Sequence, residues 1–205
     1  MVASKIENKI VGILVFEQVE ILDFAGPMEV FAAADEISGN KLWDVKLIST
    51  SEKKLTARFG LNIISDYELS SSPRPDVLII PGGKGIRNLL ANENLLLKLK
   101  SFITQIPEII TVCTGSLLAG KLSFLDDKFA TTHHENLSEL KEIAPKTKVV
   151  NKRFCDNGNI LCAEGVSAGI DVSLYYIQRE AGDELAEQTA NYMMYKGEWK
   201  NNLRK

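Results

Sequence analysis

Four short runs of apolar, mostly β-branched residues punctuate the chain, at positions 10–16, 45–49, 76–80 and 109–112. The first is continuous, as a strand buried on both faces of a parallel sheet requires; 76–80 reads as a buried strand too, 45–49 as the second strand, and 109–112 as the strand that leads into Cys113. Between them the spacing turns helical. Apolar residues from Met28 to Ala34 follow Pro27, which fits the first turn of a helix because its missing N–H costs nothing there. Asp23 is thereby placed in the loop just before that helix. Leucines at 89, 90, 96, 97 and 99 predict one helix over 86–103, and a further helix starts at Leu117. Positions 135–143 read as helical up to Pro145, and Gly165 opens another helix that runs through Ile177. Gly182 breaks it, and Asp183 caps the last one.

Smaller β segments are expected at 55–59 and 61–65, divided by Gly60, and at 148–150. Asn157-Gly158 marks a two-residue hairpin turn. That turn sets Cys155 opposite Ile160 and Cys162 opposite Arg153. The two sulfurs become diagonal neighbours with Cα atoms roughly 7–8 Å apart, too far for an unstrained disulfide.

Strands alternating with helices predict an α/β fold, a mostly parallel sheet with helices on both faces. No linker or repeat interrupts the pattern, so residues 1–205 read as one domain. Ligands in such folds bind beyond the carboxyl ends of the strands. Three strand ends carry chemistry there: Asp23 after the first, Gly82-Gly83 after the third, and Cys113 after the fourth.

The stretch from Ile109 to Ser116 is a strand running into Cys113, then Thr114-Gly115-Ser116, then a helix. This is the pattern of a nucleophile elbow, where a sharp turn exposes the nucleophile beside backbone N–H groups and the helix dipole favours a thiolate. The plain alternative is a small buried hydrophobe, the commonest role of a free cysteine. Asp23 is either a helix cap or a general acid/base sharing a proton with the thiol. Gly82 and Gly83 make a tight turn, and their N–H groups, with that of Thr114, are candidate donors to a developing negative charge. Thr114 either supports the elbow or hydrogen-bonds a ligand. His133 reads as pocket wall or as a support for the nucleophile, and His134 less so.

Composition narrows the classes. Across 205 residues, 45% are hydrophobic and 25% charged, as in ordinary soluble domains, and the net charge of −3 leaves no basic footprint for nucleic acid. No apolar run is long enough for a membrane span and no cleavable leader is evident, so a cytoplasmic protein is expected. Three cysteines cannot all pair, which fits a reducing compartment. No Cys/His spacing suggests zinc.

The segments from Ile21 to Phe31, Val77 to Gly83, Val112 to Leu118, Ala130 to His133 and Gly165 to Asp171, in that order, resemble the ThiJ/PfpI superfamily, a branch of the class I glutamine amidotransferase-like fold. The isonitrile hydratase-like branch is the most similar. The resemblance implies a flavodoxin-like three-layer sandwich and a homodimer. It implies Cys113 as nucleophile, Asp23 as the acidic partner and Thr114 as the threonine after the nucleophile. Peptidase-like members carry histidine where Thr114 stands, which argues against peptide cleavage. His134 replaces a tryptophan common in the branch, and Ser123 and Asp127 replace loop glycines. The implied reaction is cofactor-free hydration of an isonitrile to an N-substituted formamide through a thioimidate on Cys113. Two alternatives accompany it: a glyoxalase- or deglycase-type activity, and a redox- or ligand-sensing module. Some relatives carry the domain fused to a helix-turn-helix regulator. With the last helix pattern ending close to Lys205, no DNA-binding half is expected here.

Overall fold

The computed structural model describes residues 8–201. In chain order the strands and helices are β1 (Lys9–Val15), α1 (Ile21–Ser38), β2 (Trp43–Ser49), β3 (Lys54–Thr56), β4 (Asn62–Ile64), β5 (Tyr67–Glu68), β6 (Val77–Ile80), α2 (Ile86–Leu90), α3 (Glu93–Ile103), β7 (Glu108–Val112), α4 (Gly115–Lys121), β8 (Phe129–Ala130), α5 (Leu137–Ile143), β9 (Lys148–Val149), β10 (Phe154–Asp156), β11 (Ile160–Ala163), α6 (Ala168–Ala181) and α7 (Asp183–Tyr192).

Seven strands form the main sheet in the order β10-β11-β7-β6-β1-β2-β5. Six run parallel, and only β10 is antiparallel to its neighbour. The central strands carry the continuous apolar runs because helices cover both faces: Val11, Ile13, Leu14, Val77, Ile79, Ile110 and Val112 are all fully buried. Helices α1, α6 and α7 pack on one another as one layer. The second layer joins α2 to α3 and α4, and α4 to α5. This is the flavodoxin-like α/β arrangement. No helix among the described residues is long and apolar enough to cross a membrane.

Four expectations are corrected. Helix α1 begins at Ile21, so Asp23 lies in its first turn and Pro27 sits inside the helix. Pro27 has no N–H to offer the carbonyl of Asp23, four residues earlier, and the helix tolerates that loss near its start. The single helix over 86–103 is two, because the Asn92 side chain accepts the Leu95 N–H and starts a new helix. Gly182, not Asp183, occupies the cap position of α7.

The hairpin register also differs. Asn157 N–H donates to Ile160 O, so Gly158-Asn159 are the two turn residues, and Gly158 takes the positive φ of 83°. A glycine with positive φ at the first of two central positions is the II′ pattern rather than the Asn-Gly I′ pattern. Cys155 then lies directly opposite Cys162, and both remain free thiols.

Candidate active site

Cys113 has a φ of 56°, in the left-handed region that non-glycine residues rarely enter. Its backbone is held on every side. Its N–H donates to Ala163 O at the end of β11, while its own carbonyl accepts the hydroxyls of Ser116 and Thr132, each at 3.0 Å. Gly115 permits the turn: a Cβ there would stand 2.0 Å from Ile80 O. The strained elbow is therefore over-determined, which is how strain persists at a fixed geometry.

Three further segments close on Cys113. The first turn of α1 brings Asp23, which is fully buried. The turn after β6 brings Gly82 and Gly83. Gly82 N–H donates to Asp23 Oδ2 at 2.9 Å, and Gly83 N–H donates to Thr114 Oγ1 at 3.1 Å. The two glycine N–H groups thus orient Asp23 and Thr114 instead of standing open to a ligand, contrary to the expectation of a donor pair. Thr114 Oγ1, already an acceptor, keeps its proton for the sulfur of Cys113, which it faces.

The fourth segment follows β11; the sequence marks it as a helix start and as part of the family resemblance, with no role at the site. Gly165 passes so close that a Cβ there would lie 3.6 Å from Cys113 Sγ and 3.2 Å from His133 Cδ2. Val166 follows with a φ of 37°, an outlier for a β-branched residue. Its N–H lies near enough to Cys113 and Asp23 to favour the charged form of each. The available signal was one more strand end with glycine after it, at Glu164-Gly165, in the same position relative to the sheet as the other three.

The two titratable groups are linked. Burial raises the Asp23 carboxyl from 3.8 to about 7, against the lowering by the Gly82 N–H, while nearby Glu20 pushes it further up. The Asp23 Oδ1 atom has no partner of conventional hydrogen-bond geometry, and this leaves the carboxyl poorly solvated as an anion. Burial pushes the Cys113 thiol up to about 12, and the charge of Asp23 adds to it; the N–H groups of Thr114 and Val166 pull the other way. The expected standing thiolate is therefore replaced by a thiol beside a carboxyl that changes protonation near neutrality. Helix α4 has only seven residues, so its dipole is a weak counterweight.

His133 sits at the rim. Its ring stacks on His134 with centroids 4.3 Å apart, and Nδ1 lies 3.7 Å from Glu135. Among the described residues no three His, Cys, Asp or Glu side chains gather closely enough to hold a metal ion.

Residues 9–179 match the profile of the DJ-1/PfpI family. Over 180 residues the chain is 33% identical to the isonitrile hydratase of Pseudomonas putida, covering 86% of this chain and 74% of that protein. It is 26% identical over 185 residues to the HTH-type transcriptional regulator GbdR of Pseudomonas aeruginosa, covering 90% of this chain but half of the regulator's length. A crystal structure of a ThiJ/PfpI family protein from Pseudomonas syringae superposes with a TM-score of 0.83 at 22% identity, over 93% of this chain and 76% of that one.

Proposed function

The chain belongs to the DJ-1/PfpI family, and from that premise we propose that it is a cysteine-dependent hydratase whose substrate is a small isonitrile. The observation that carries this reading is the buried Asp23 carboxyl, poised near neutrality at about 7 against the Cys113 thiol. The 33% identity to the isonitrile hydratase of Pseudomonas putida supports it.

Cys113 attacks the terminal carbon of R–N≡C as Asp23 takes the thiol proton. Asp23 then delivers that proton to the same carbon, leaving the thioimidate R–N=CH–S–Cys113. Water adds to the thioimidate carbon; Asp23 accepts a proton from the water and passes it to nitrogen. Collapse of R–NH–CH(OH)–S–Cys113 expels the sulfur, which regains its proton through Asp23, and R–NH–CHO departs. The sum is isonitrile plus water giving the formamide. A carboxyl near the working pH suits a group that both accepts and donates in one cycle. The sulfur's negative charge is met by the Thr114 and Val166 N–H groups and the Thr114 hydroxyl.

The test is formamide production from aliphatic and aromatic isonitriles by wild type, Cys113→Ala and Asp23→Ala. Wild type turns over and both variants lose activity by about a thousandfold or more, the scale set by nucleophile and acid/base losses. Absence of wild-type turnover across the series overturns the hydratase reading. The similarity to the regulator GbdR favours a second reading, ligand sensing without chemistry. Under that reading Cys113→Ala still binds the ligand as tightly as wild type, and no product appears with either.

A further inference from the structure

Val166 contributes an N–H to the site at a backbone angle it would not adopt unaided. What pins it lies outside the site. Arg153, just before β10, donates from Nε to Asp171 Oδ2 at 2.8 Å, and its Nη2 reaches both Asp171 Oδ2 at 2.6 Å and Ser167 Oγ at 3.0 Å. Tyr195, beyond α7, donates its hydroxyl to Asp171 Oδ2 at 3.1 Å and lies 3.4 Å from the carbonyl of Ser167. Glu198 N–H donates to Asp171 Oδ1 at 2.8 Å.

Asp171 is fully buried and both its oxygens accept hydrogen bonds, so it is the hub of a satisfied polar network. The close fit extends to Gly197, where a Cβ would stand 2.1 Å from Asp171 Oδ1. Arg153 also holds the other side of the same turn, since its carbonyl accepts the Glu164 N–H. The residues on either side of Val166 are therefore clamped by one ion pair and one phenol, drawn from β10's approach, α6 and the segment after α7.

We propose that Arg153, Asp171 and Tyr195 are positioning residues: they hold Ser167 and Glu164 so that the strained Val166 turn keeps its N–H near Cys113 and Asp23. The inference rests on the reading of Cys113 as nucleophile, and its test does not depend on which substrate that nucleophile takes. The charged and titratable groups facing the thiol are Asp23 from α1, with Glu20 behind it, and His133 from the rim.

The experiment follows alkylation of Cys113 by iodoacetamide against pH, read by peptide mass mapping so that Cys155 and Cys162 do not contribute. It is run on wild type, Tyr195→Phe, Asp171→Asn and, as a control, Tyr192→Phe at an exposed tyrosine. Loss of a hydrogen bond to a charged sulfur implies a fall of about tenfold in the neutral-pH alkylation rate and a profile displaced to higher pH. Tyr195→Phe is expected to show this with an unchanged circular dichroism spectrum, and Tyr192→Phe to match wild type. An unaltered Cys113 profile in folded Tyr195→Phe overturns the proposal; should Asp171→Asn fail to fold, that variant still decides it. In parallel, kcat for isonitrile hydration should fall in Tyr195→Phe more than KM rises. Displaced alkylation without any wild-type hydration would sink the hydratase reading and leave the positioning role standing.

Discussion

Asp23 trades stability for chemistry, and the sign of that trade can be measured. Its carboxyl titrates at about 7 in the folded chain against 3.8 as the ordinary value, with burial as the main cause. Below about pH 4 folded and unfolded chains both hold the proton, and the group contributes no difference. As pH climbs from there toward 7, the unfolded chain releases the proton first, so the folded state loses stability; above 7 the loss levels off at a few kcal/mol. Asp23→Asn keeps the volume and an oxygen for the Gly82 N–H but removes the charge. It is expected to melt above wild type at pH 8, to converge with it near pH 4, and to have lost turnover. Calorimetric melting across that range checks it, and a gap that does not change with pH would show that the carboxyl is not buried at this cost. The thiol shows the same logic. Its strained backbone and two hydroxyl anchors hold Cys113 in place, while the low-polarity setting keeps its proton until Asp23 can take it.

At the level of elements, the glycine at the elbow separates steric need from conformational need. Gly115 starts α4 against the carbonyl of Ile80, where a methyl group would collide with backbone at 2.0 Å. Gly115→Ala must push α4 off the end of β6, and should cost about 3 kcal/mol or more. Gly158→Ala meets open space and pays only for a φ of 83°, about 1 kcal/mol. Urea unfolding of the two variants should rank them in that order, with Cys113 alkylation altered only in the first. The same elements show what could be read in advance. Strands β1, β6 and β7 were legible because two buried faces demand apolar runs, whereas β2, with Asp44 and Lys46 in it and four part-buried residues, was legible from its β-branched and apolar residues alone. The elbow was legible because a strand, a nucleophile and a small-residue turn are contiguous. The break at Asn92 was not, since no glycine or proline marks it and the leucine spacing continues through it. The start of α1 was misplaced because a proline suited to a first turn was taken as the first turn, although Ile21, Leu22 and Phe24 already belong to the helix. Val166 and Thr132 had no role legible in the sequence for a different reason: Val166 acts through a backbone group just past β11, which parallel pairing sets beside β7, and the Thr132 hydroxyl meets the Cys113 carbonyl only once the segment after β8 is folded against the elbow.

For the molecule as a whole, the resemblance implies a homodimer, and among several exposed apolar positions the β3–β4 hairpin is the candidate contact nearest the active site. The β3–β4 hairpin leaves Phe59 and Ile64 largely exposed, at 80% and 73%, with Leu61 beside them at 43%. The hairpin is tied to the approach to α1: Arg58 N–H donates to Val19 O, Gln18 N–H donates to Thr56 O, and the Arg58 guanidinium pairs with Glu20. Leu22 on α1, 37% exposed, follows directly. Large exposed apolar side chains clustered on a soluble chain usually mark a contact surface. A stable self-association needs to cover about 800 Å² on each copy, more than these side chains alone, so the start of α1 has to join them. Wild type is expected to scatter light as a dimer at micromolar concentration, and Phe59→Ser with Ile64→Lys to run as a folded monomer. Because Val19 bridges to Gly83, the loop under the hairpin also borders the active site, so the monomeric variant should lose part of the turnover while Cys113 and Asp23 are intact. A wild-type chain that is monomeric at every concentration tested would overturn the dimer, and full activity in a monomeric variant would confine the chemistry to one chain.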